Sequence, residues 1–137
     1  MSLDFTITIA GQAGQGLNTF ADILTKVLAR SGYHLFVTQD YMSRIRGGHN
    51  FTQIRVSNKP IYSIHIGSHL LVALDQQSAD LHYSHLSGPS IIIHDLNTVK
   101  VPKTVKIHDV GIPIKKIAVE SGSPLYSNSV VLGIVSA

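Results

Sequence analysis

Two segments of this sequence carry residue types that could bind an anion. The first, residues 11–16, reads Gly-Gln-Ala-Gly-Gln-Gly, and the second, residues 43–50, reads Ser-Arg-Ile-Arg-Gly-Gly-His-Asn. Glycines between a strand and a helix allow a tight turn, and the N–H groups at the helix start attract phosphate. The alternative is that the glycines serve only the turn and the close packing of helix on sheet.

The arginine-containing segment suggests a clamp for carboxylate or phosphate oxygens. Arg44 and Arg46 are separated by one residue, so both guanidinium groups project to one side of an extended chain, and Gly47 and Gly48 let the backbone bend beside them. Three interpretations stay open: contact with an anionic ligand, a salt bridge to a neighbouring subunit, or a solvated basic loop. In the last case each exposed ion pair contributes about 0–1 kcal/mol.

Motifs for other chemistry are incomplete or absent. The dinucleotide-binding fingerprint has glycine at its third place, where this sequence has Ala13, and we place Asp40 one step beyond the second strand, past the position of a ribose-binding acid. Asn18 and Thr19 stand where a P-loop has Lys and Ser or Thr, and the serine-hydrolase elbow is missing. A stand-alone Rossmann-like nucleotide-binding oxidoreductase remains the alternative hypothesis.

The eight histidines raise the question of a metal site. His65 and His69 are four residues apart, and His82 and His85 are three apart, spacings that share a face only on a helix. We expect the second pair, but not the first, to lie on a helix, and Asp80 to point away from it. The sequence therefore predicts no metal site and no catalytic residue, but histidines that face solvent or a partner and titrate near neutrality.

Composition favours a single α/β domain. The chain has 137 residues, of which 44% are hydrophobic and only 14% charged, and its net charge is +3. The low charged fraction suggests a surface for a partner. We expect no nucleic-acid binding, and a non-enzymatic polyanion site using Arg44, Arg46, Arg55 and the lysines near Lys115 is the third hypothesis. The start lacks a secretory signal and no apolar run is long enough for a bilayer, so we predict a cytoplasmic protein.

Hydrophobic periodicity predicts the order of elements. A strand over residues 4–10 precedes a helix over residues 15–31, capped by Gly32, and a second strand over 33–39. Alternation over 51–56 and 61–66 predicts an antiparallel hairpin. Further predicted elements are strands over 70–74, 90–94 and 104–110, and helices over 76–86, 114–120 and 129–136. Together they indicate a three-layer α/β/α Rossmann-like domain with a mixed sheet.

The last predicted helix, over residues 129–136, has neither a polar face nor a cap. Such a helix either packs into the core or continues into further chain. We therefore expect residues 1–137 to form one domain that is a fragment of a longer chain.

Several motifs together resemble one enzyme family. They are residues 11–16, Gln39-Asp40-Tyr41 ahead of Arg46-Gly47-Gly48, and Ser123-Pro124 followed by Asn128 and Leu132-Gly133. The sequence resembles the γ subunit, or γ-like N-terminal domain of the α subunit, of the 2-oxoacid:ferredoxin oxidoreductases. Ala13 departs from the family loop Gly-x-Gly-Gly-Gln-Gly. Arg44 stands where pyruvate-type members have an acid, and the run 43–50 resembles the 2-oxoglutarate type.

The resemblance implies a division of labour. These enzymes decarboxylate a 2-oxoacid on thiamine diphosphate, pass electrons through iron–sulfur clusters to ferredoxin, and transfer the acyl group to coenzyme A. This chain has no cysteine and no Gly-Asp-Gly motif, so the resemblance implies a piece without cofactor chemistry of its own, inactive alone and assembled with α and β partners. The candidate coenzyme A or substrate contacts are Gly11, Gly14, Gln15, Gly16, Arg44, Arg46, Gly47 and Gly48.

Overall fold

The computed structural model describes residues 2–12, 16–41, 48–123 and 127–136. The strands are β1 (Asp4–Gln12), β2 (His34–Tyr41), β3 (His49–Ser57), β4 (Ser68–Ala73), β5 (Leu86–Asp95) and β6 (Ile107–Ile112). The helices are α1 (Leu17–Arg30), α2 (Gln76–His82), α3 (Ile114–Glu120) and α4 (Ser127–Ser136), and a 3-10 turn (Tyr83–His85) follows α2.

The strands form one six-stranded mixed sheet in the order β2-β3-β1-β4-β5-β6. β3 pairs antiparallel with both β1 and β2, whereas the β1–β4, β4–β5 and β5–β6 pairs are parallel. From β1 the chain passes through α1 to β2 on one side of β1, whereas β4 lies on the other side. The order of the strands therefore reverses between β1 and β4, and open α/β sheets bind their ligands at such a switch point.

Helices cover both faces of the sheet, as the sequence predicts. Alternate side chains of a strand point to opposite faces, so Ile7 and Ile9 of β1 share one face, on which they pack with α1, α3 and α4. Leu71 of β4 packs on the other face with Ala79 of α2 and with Val99. The three-layer α/β arrangement with a mixed sheet is confirmed.

Helix α1 has the amphipathic pattern expected of a helix lying on a sheet. Its buried residues Leu17, Phe20, Ala21 and Leu24 follow helical spacing. The chain leaves the helix at Ser31 and turns at Gly32, whose φ of 91° suits glycine. The predicted helix is confirmed, with bounds two residues inside the predicted start and one inside the predicted end.

A buried carboxylate joins the end of β5 to the start of α3. Asp95 is only 2% exposed, and its two oxygens accept hydrogen bonds from the backbone N–H groups of Asn97, at 2.9 Å, and Lys115, at 2.8 Å. The backbone N–H of Lys115, in the first turn of α3, thereby finds its hydrogen-bond partner at the end of β5. The predicted helices over 114–120 and 129–136 are present as α3 and α4.

The predicted hairpin is wrong. Residues 51–56 lie in β3, but residues 61–66 are not a strand, and β3 instead lies between β1 and β2. Both edges of β3 are thus occupied, so no edge remains to which a following strand could pair. The apolar residues of this alternation do not face the core. Tyr62, Ile64 and Ile66 are exposed, at 88%, 55% and 87% of their surface.

Smaller differences affect element ends. The predicted helix over 76–86 ends at His82 and tightens into the 3-10 turn, and Leu86 already belongs to β5. β6 begins three residues later than predicted, at Ile107. Among the helices that the structure describes, none is long and apolar enough to cross a bilayer.

Candidate functional site

Three strands bring the two predicted anion-binding segments to one edge of the sheet. β1 ends at Gln12, which pairs with His49 at the start of β3, and Tyr41 at the end of β2 pairs with Asn50. The connection after β1 and the connection between β2 and β3 therefore leave the sheet side by side. β4 ends at the same edge, because Ala73 pairs with Ala10.

The described glycines have the backbone geometry that this edge requires. Gly16 precedes α1 with φ 73°, and Gly48 precedes β3 with φ 58°, both in the left-handed region that favours glycine. α1 begins without a side-chain cap and without an acidic residue in its first turn, so its dipole attracts an anion. Gly11 is buried in β1 and pairs with Asn50.

Of the eight predicted contact residues, the structure places Gly11, Gly16 and Gly48 at this edge. Gly14, Gln15, Arg44, Arg46 and Gly47 lie outside the described residues. The structure thus shows that the strands flanking the two segments lie side by side. The ligand contacts of the side chains within the segments stay predictions.

Buried polar atoms without partners collect at the same edge. His49 Nδ1 and Asn50 Oδ1 at the start of β3, and Asp75 Oδ2 just after β4, are buried and have no hydrogen-bond partner among the residues that the structure describes. Buried polar atoms are usually satisfied, and the exceptions often mark functional sites. The fourth such atom among the described residues, Thr6 Oγ1, lies in the middle of β1.

A histidine pair adjoins this edge, which sequence reasoning missed. His49 is 2% exposed, and its Nε2 lies 2.9 Å from Nε2 of His82 on α2. The ring of Phe51 packs edge-on against His82, with the ring centroids 4.7 Å apart. Spacing along the chain gave no signal, because His49 and His82 belong to different elements that meet only in the folded sheet.

Burial lowers the pKa of both imidazoles. It lowers the pKa of His49, against the opposing effect of the Asp75 and Asp40 carboxylates. Burial also lowers the pKa of His82, to about 4, and the neighbouring His49 and His85 add to the effect. The expectation that His82 titrates near neutrality is therefore wrong.

A groove runs from the histidine pair along the sheet face that α2 covers. Its volume is about 540 Å³, within the range of small-molecule sites. Thr8, Thr38, Phe51 and Gln53 of the strands form its floor, and residues 64–68 and the end of α2 form its walls. The described lining includes Asp40 but no lysine or arginine.

Asp40 lies within a strand and not beyond it. β2 extends to Tyr41, and Asp40 pairs with Phe51 of β3. The prediction that Asp40 lies in the loop is wrong, because strand pairing with β3 carries β2 two residues past the apolar part of its sequence.

The remaining basic and histidine predictions also change. Arg55 forms a two-point ion pair with Asp4, Nε to Oδ1 at 2.9 Å and Nη2 to Oδ2 at 2.7 Å, which lowers the pKa of Asp4 and raises that of Arg55. Its charge is thus compensated, against the polyanion hypothesis. His65 and His69 stack with centroids 5.8 Å apart although no helix contains them, so the prediction that they share no face is wrong.

The described histidines and carboxylates show no metal-binding constellation. No three or more of them, within the ranges that the structure covers, are placed to hold one ion. The hydrogen bond between His94 Nε2 and the Asp109 carboxylate joins β5 to β6 and is likewise a two-residue contact.

Comparison with protein families identifies the chain. The family model described as pyruvate ferredoxin/flavodoxin oxidoreductase matches residues 6–137. This chain belongs to that family. The resemblance to 2-oxoacid:ferredoxin oxidoreductases is thereby confirmed, and the alternative of an unrelated nucleotide-binding enzyme is not favoured.

Curated relatives are subunits of such enzymes. The chain is 28% identical over 92 residues to the 2-oxoacid:ferredoxin oxidoreductase subunit alpha of Saccharolobus solfataricus, covering 67% of this chain and 15% of that protein. It is 29% identical over 136 residues to the 2-oxoglutarate synthase subunit KorC of Methanocaldococcus jannaschii, covering 95% and 72%. The chain thus spans about a sixth of the α subunits it matches.

Solved structures share the fold. A 2-oxoglutarate:ferredoxin oxidoreductase from Magnetococcus marinus superposes with a TM-score of 0.87 at 21% identity, covering 97% of this chain and 24% of that one. The γ subunit of a keto/oxoacid ferredoxin oxidoreductase from Geobacter sulfurreducens gives 0.83 at 24% identity, covering 96% and 73%. These matches confirm the α/β fold of the γ-type domain.

Proposed function

We propose that residues 1–137 are the γ-type domain of a 2-oxoacid:ferredoxin oxidoreductase that assembles with α and β partners. The assembled enzyme oxidatively decarboxylates a 2-oxoacid to an acyl-coenzyme A and passes the electrons to ferredoxin. The substrate that we propose is 2-oxoglutarate. It is supported by the run of residues 43–50 and by the relative named as a 2-oxoglutarate synthase subunit.

The cofactors that perform the redox chemistry belong, in this proposal, to the partners. The chain has no cysteine, so it lacks the usual ligands of an iron–sulfur cluster. It also lacks the Gly-Asp-Gly sequence expected of a thiamine-diphosphate site. Its own contribution is to build the complex and to orient a ligand.

The proposed ligand is coenzyme A, and the observation that supports this role is that the strands flanking the two segments end side by side at one sheet edge. The left-handed Gly16 and the open start of α1 suit a phosphate. The unpartnered oxygens of Asn50 and Asp75 suit hydroxyl or amide N–H donors. Coenzyme A carries both kinds of group, and when bound it supplies the thiol that accepts the acyl group.

Within this chain, the glycines and arginines would hold the ligand without taking part in bond making. Gly11, Gly16 and Gly48 allow the backbone close to it, together with Gly14 and Gly47. Arg44 and Arg46, with Gln15, would contribute donors for its phosphates or for the substrate carboxylate. Every one of these roles is binding and orientation.

The test is the Arg46→Ala variant in the assembled complex. We expect the KM for coenzyme A or for the oxoacid to rise about tenfold, equivalent to about 1.4 kcal/mol of lost binding, with assembly unchanged. Arg30→Ala, at the exposed end of α1, is the matched control. Loss of assembly with unchanged KM would favour the intersubunit salt bridge, and unchanged kinetics and assembly would remove Arg46 from the site.

A further inference from the structure

An exposed apolar ridge borders the groove. Within the segment 61–67, Tyr62, Ile64 and Ile66 occupy alternate positions and are 88%, 55% and 87% exposed. We call these three side chains the Tyr62–Ile66 ridge. Large apolar side chains gathered on a surface mark sites of interaction, because water contact with them is unfavourable.

Hydrogen bonds from Arg55 fix the backbone of the ridge. The carbonyl oxygen and hydroxyl of Ser63 accept hydrogen bonds from Arg55 Nη1 at 3.0 and 3.3 Å, and Asp4 fixes the same guanidinium. At the end of the segment, Gly67 has φ 105°, and a Cβ placed there would lie 1.9 Å from the Ser87 hydroxyl oxygen. The ridge is therefore preorganised, which lowers the entropic cost of binding.

The ridge and groove form one continuous surface of defined chemistry. Ile64 and Ile66 line one wall of the groove, Leu81, which is 44% exposed, lines another, and Phe51 lies on the floor. The described lining holds one carboxylate, that of Asp40, and four histidines, but no lysine or arginine. Without a permanent positive charge, this largely apolar surface accepts an uncharged apolar segment.

We propose that the Tyr62–Ile66 ridge and the groove dock the α-type catalytic polypeptide, one apolar segment of which fills the groove. This inference rests on the proposed function. The chain spans 15% of the α subunit from Saccharolobus solfataricus, so most of an enzyme of that kind lies outside this domain and must abut it. His49 and Asp40 line the groove and lie at the sheet edge where β1 and β2 end and β3 begins, so a partner seated here lies against the proposed ligand site.

The test compares two glutamate substitutions at exposed apolar positions. Ile66→Glu places a charge on the ridge, whereas Val105→Glu places it in the turn before β6, where Val105 is fully exposed and outside the groove. Binding of each purified full-length chain to the purified α-type polypeptide is measured by analytical ultracentrifugation. We expect Ile66→Glu to raise Kd at least 100-fold and Val105→Glu to change it less than threefold.

Hydrogen–deuterium exchange gives a second readout that needs no substitution. Amides of residues 61–67 are expected to gain protection when the wild-type chain binds the α-type polypeptide, while those of residues 104–106 do not. Equal Kd values for wild type and Ile66→Glu, or no protection of residues 61–67, would overturn the docking assignment and leave the proposed function intact.

Two further outcomes identify a different occupant or a wider failure. If the wild-type chain dimerises and Ile66→Glu abolishes the dimer but not the binding of the α-type polypeptide, a second copy occupies the ridge and the proposal is wrong. If the wild-type chain binds no α-type polypeptide at all, both this proposal and the proposed function fall.

Discussion

The Nε2 atoms of His49 and His82 lie 2.9 Å apart although the residues are 33 positions apart in sequence. At that distance one imidazole donates and the other accepts, so the pair holds a single proton between the two nitrogens. A second proton would place two N–H donors against each other and one positive charge beside Phe51. The folded state therefore favours the neutral pair, and lowering the pH destabilises the folded state.

The first prediction concerns pH. The pKa of His82 is about 4 in the folded chain against 6.5 in its ordinary state, so the unfolded chain binds more protons in this range and stability falls as pH drops from 6.5 towards 4. His49 and His85 act in the same direction, while Asp75 and Asp40 oppose the shift at His49. Because His82 is partly solvated, we expect a loss of about 1–2 kcal/mol, measured by urea unfolding at a series of pH values.

His82→Gln tests the assignment. Glutamine does not titrate, so this variant should lose less stability than the wild type between pH 6.5 and 4. His108→Gln, at an exposed position on β6, is the matched control and should keep the wild-type slope. An identical slope in His82→Gln and wild type would show that the pair does not govern the acid response.

The second prediction concerns Asp95. Asp95→Ala removes the acceptor for two backbone N–H groups, those of Asn97 and Lys115, and leaves a buried donor at the start of α3. We expect a loss of about 1–3 kcal/mol in the free energy of unfolding. Asp22→Asn breaks an ion pair with Lys26 whose side chains are 64% and 63% exposed, and should change stability by less than about 0.5 kcal/mol. Equal effects of the two variants in urea unfolding would contradict the structural role of Asp95.

The third prediction separates backbone strain from a steric clash. Gly32 and Gly67 both have positive φ, but a Cβ at Gly32 meets nothing within 4 Å, whereas one at Gly67 overlaps the Ser87 hydroxyl. Gly32→Ala should cost about 1–2 kcal/mol. Gly67→Ala should cost at least about 1 kcal/mol more, and Ser87→Gly in the same chain should recover that excess. Thermal unfolding of these three variants and the wild type decides the matter, and an excess that survives Ser87→Gly would speak against the clash.

The fourth prediction concerns the chain by itself. We expect the purified chain to reduce neither ferredoxin nor a viologen dye with 2-oxoglutarate or pyruvate in the presence of coenzyme A, and activity to require the α and β partners. The assay is the anaerobic absorbance of the dye, with the assembled complex as the positive control. Turnover by the pure chain would show that it carries redox chemistry of its own.

The elements that could be predicted from sequence are those whose signal is local. The apolar face from Leu17 to Leu24 and the glycine at position 32 specify α1, and Pro113 marks the start of α3. The short apolar run around Leu71 correctly indicates a strand buried on both faces. Each of these signals depends on residues within one turn or one strand.

The features that could not be predicted depend on pairing between distant segments. Alternation in residues 61–66 looks like a strand, but Arg55 holds Ser63, and both edges of β3 are already paired with β1 and β2. The contact of His49 with His82 requires β3 to lie beside β1, a strand order that periodicity does not specify. The sequence could name the glycine and arginine segments of the site, but not the sheet edge that joins them.

The position of β1 between β3 and β4 has a consequence for synthesis of the chain. The backbone of β1 is satisfied on one side by β3, which ends at Ser57, and on the other by β4, which ends at Ala73. A nascent chain emerging from the ribosome must therefore expose residues 4–73 before β1 has both neighbours. Until then the aliphatic side chains of this strand are open to chaperones, and folding of the domain waits on translation.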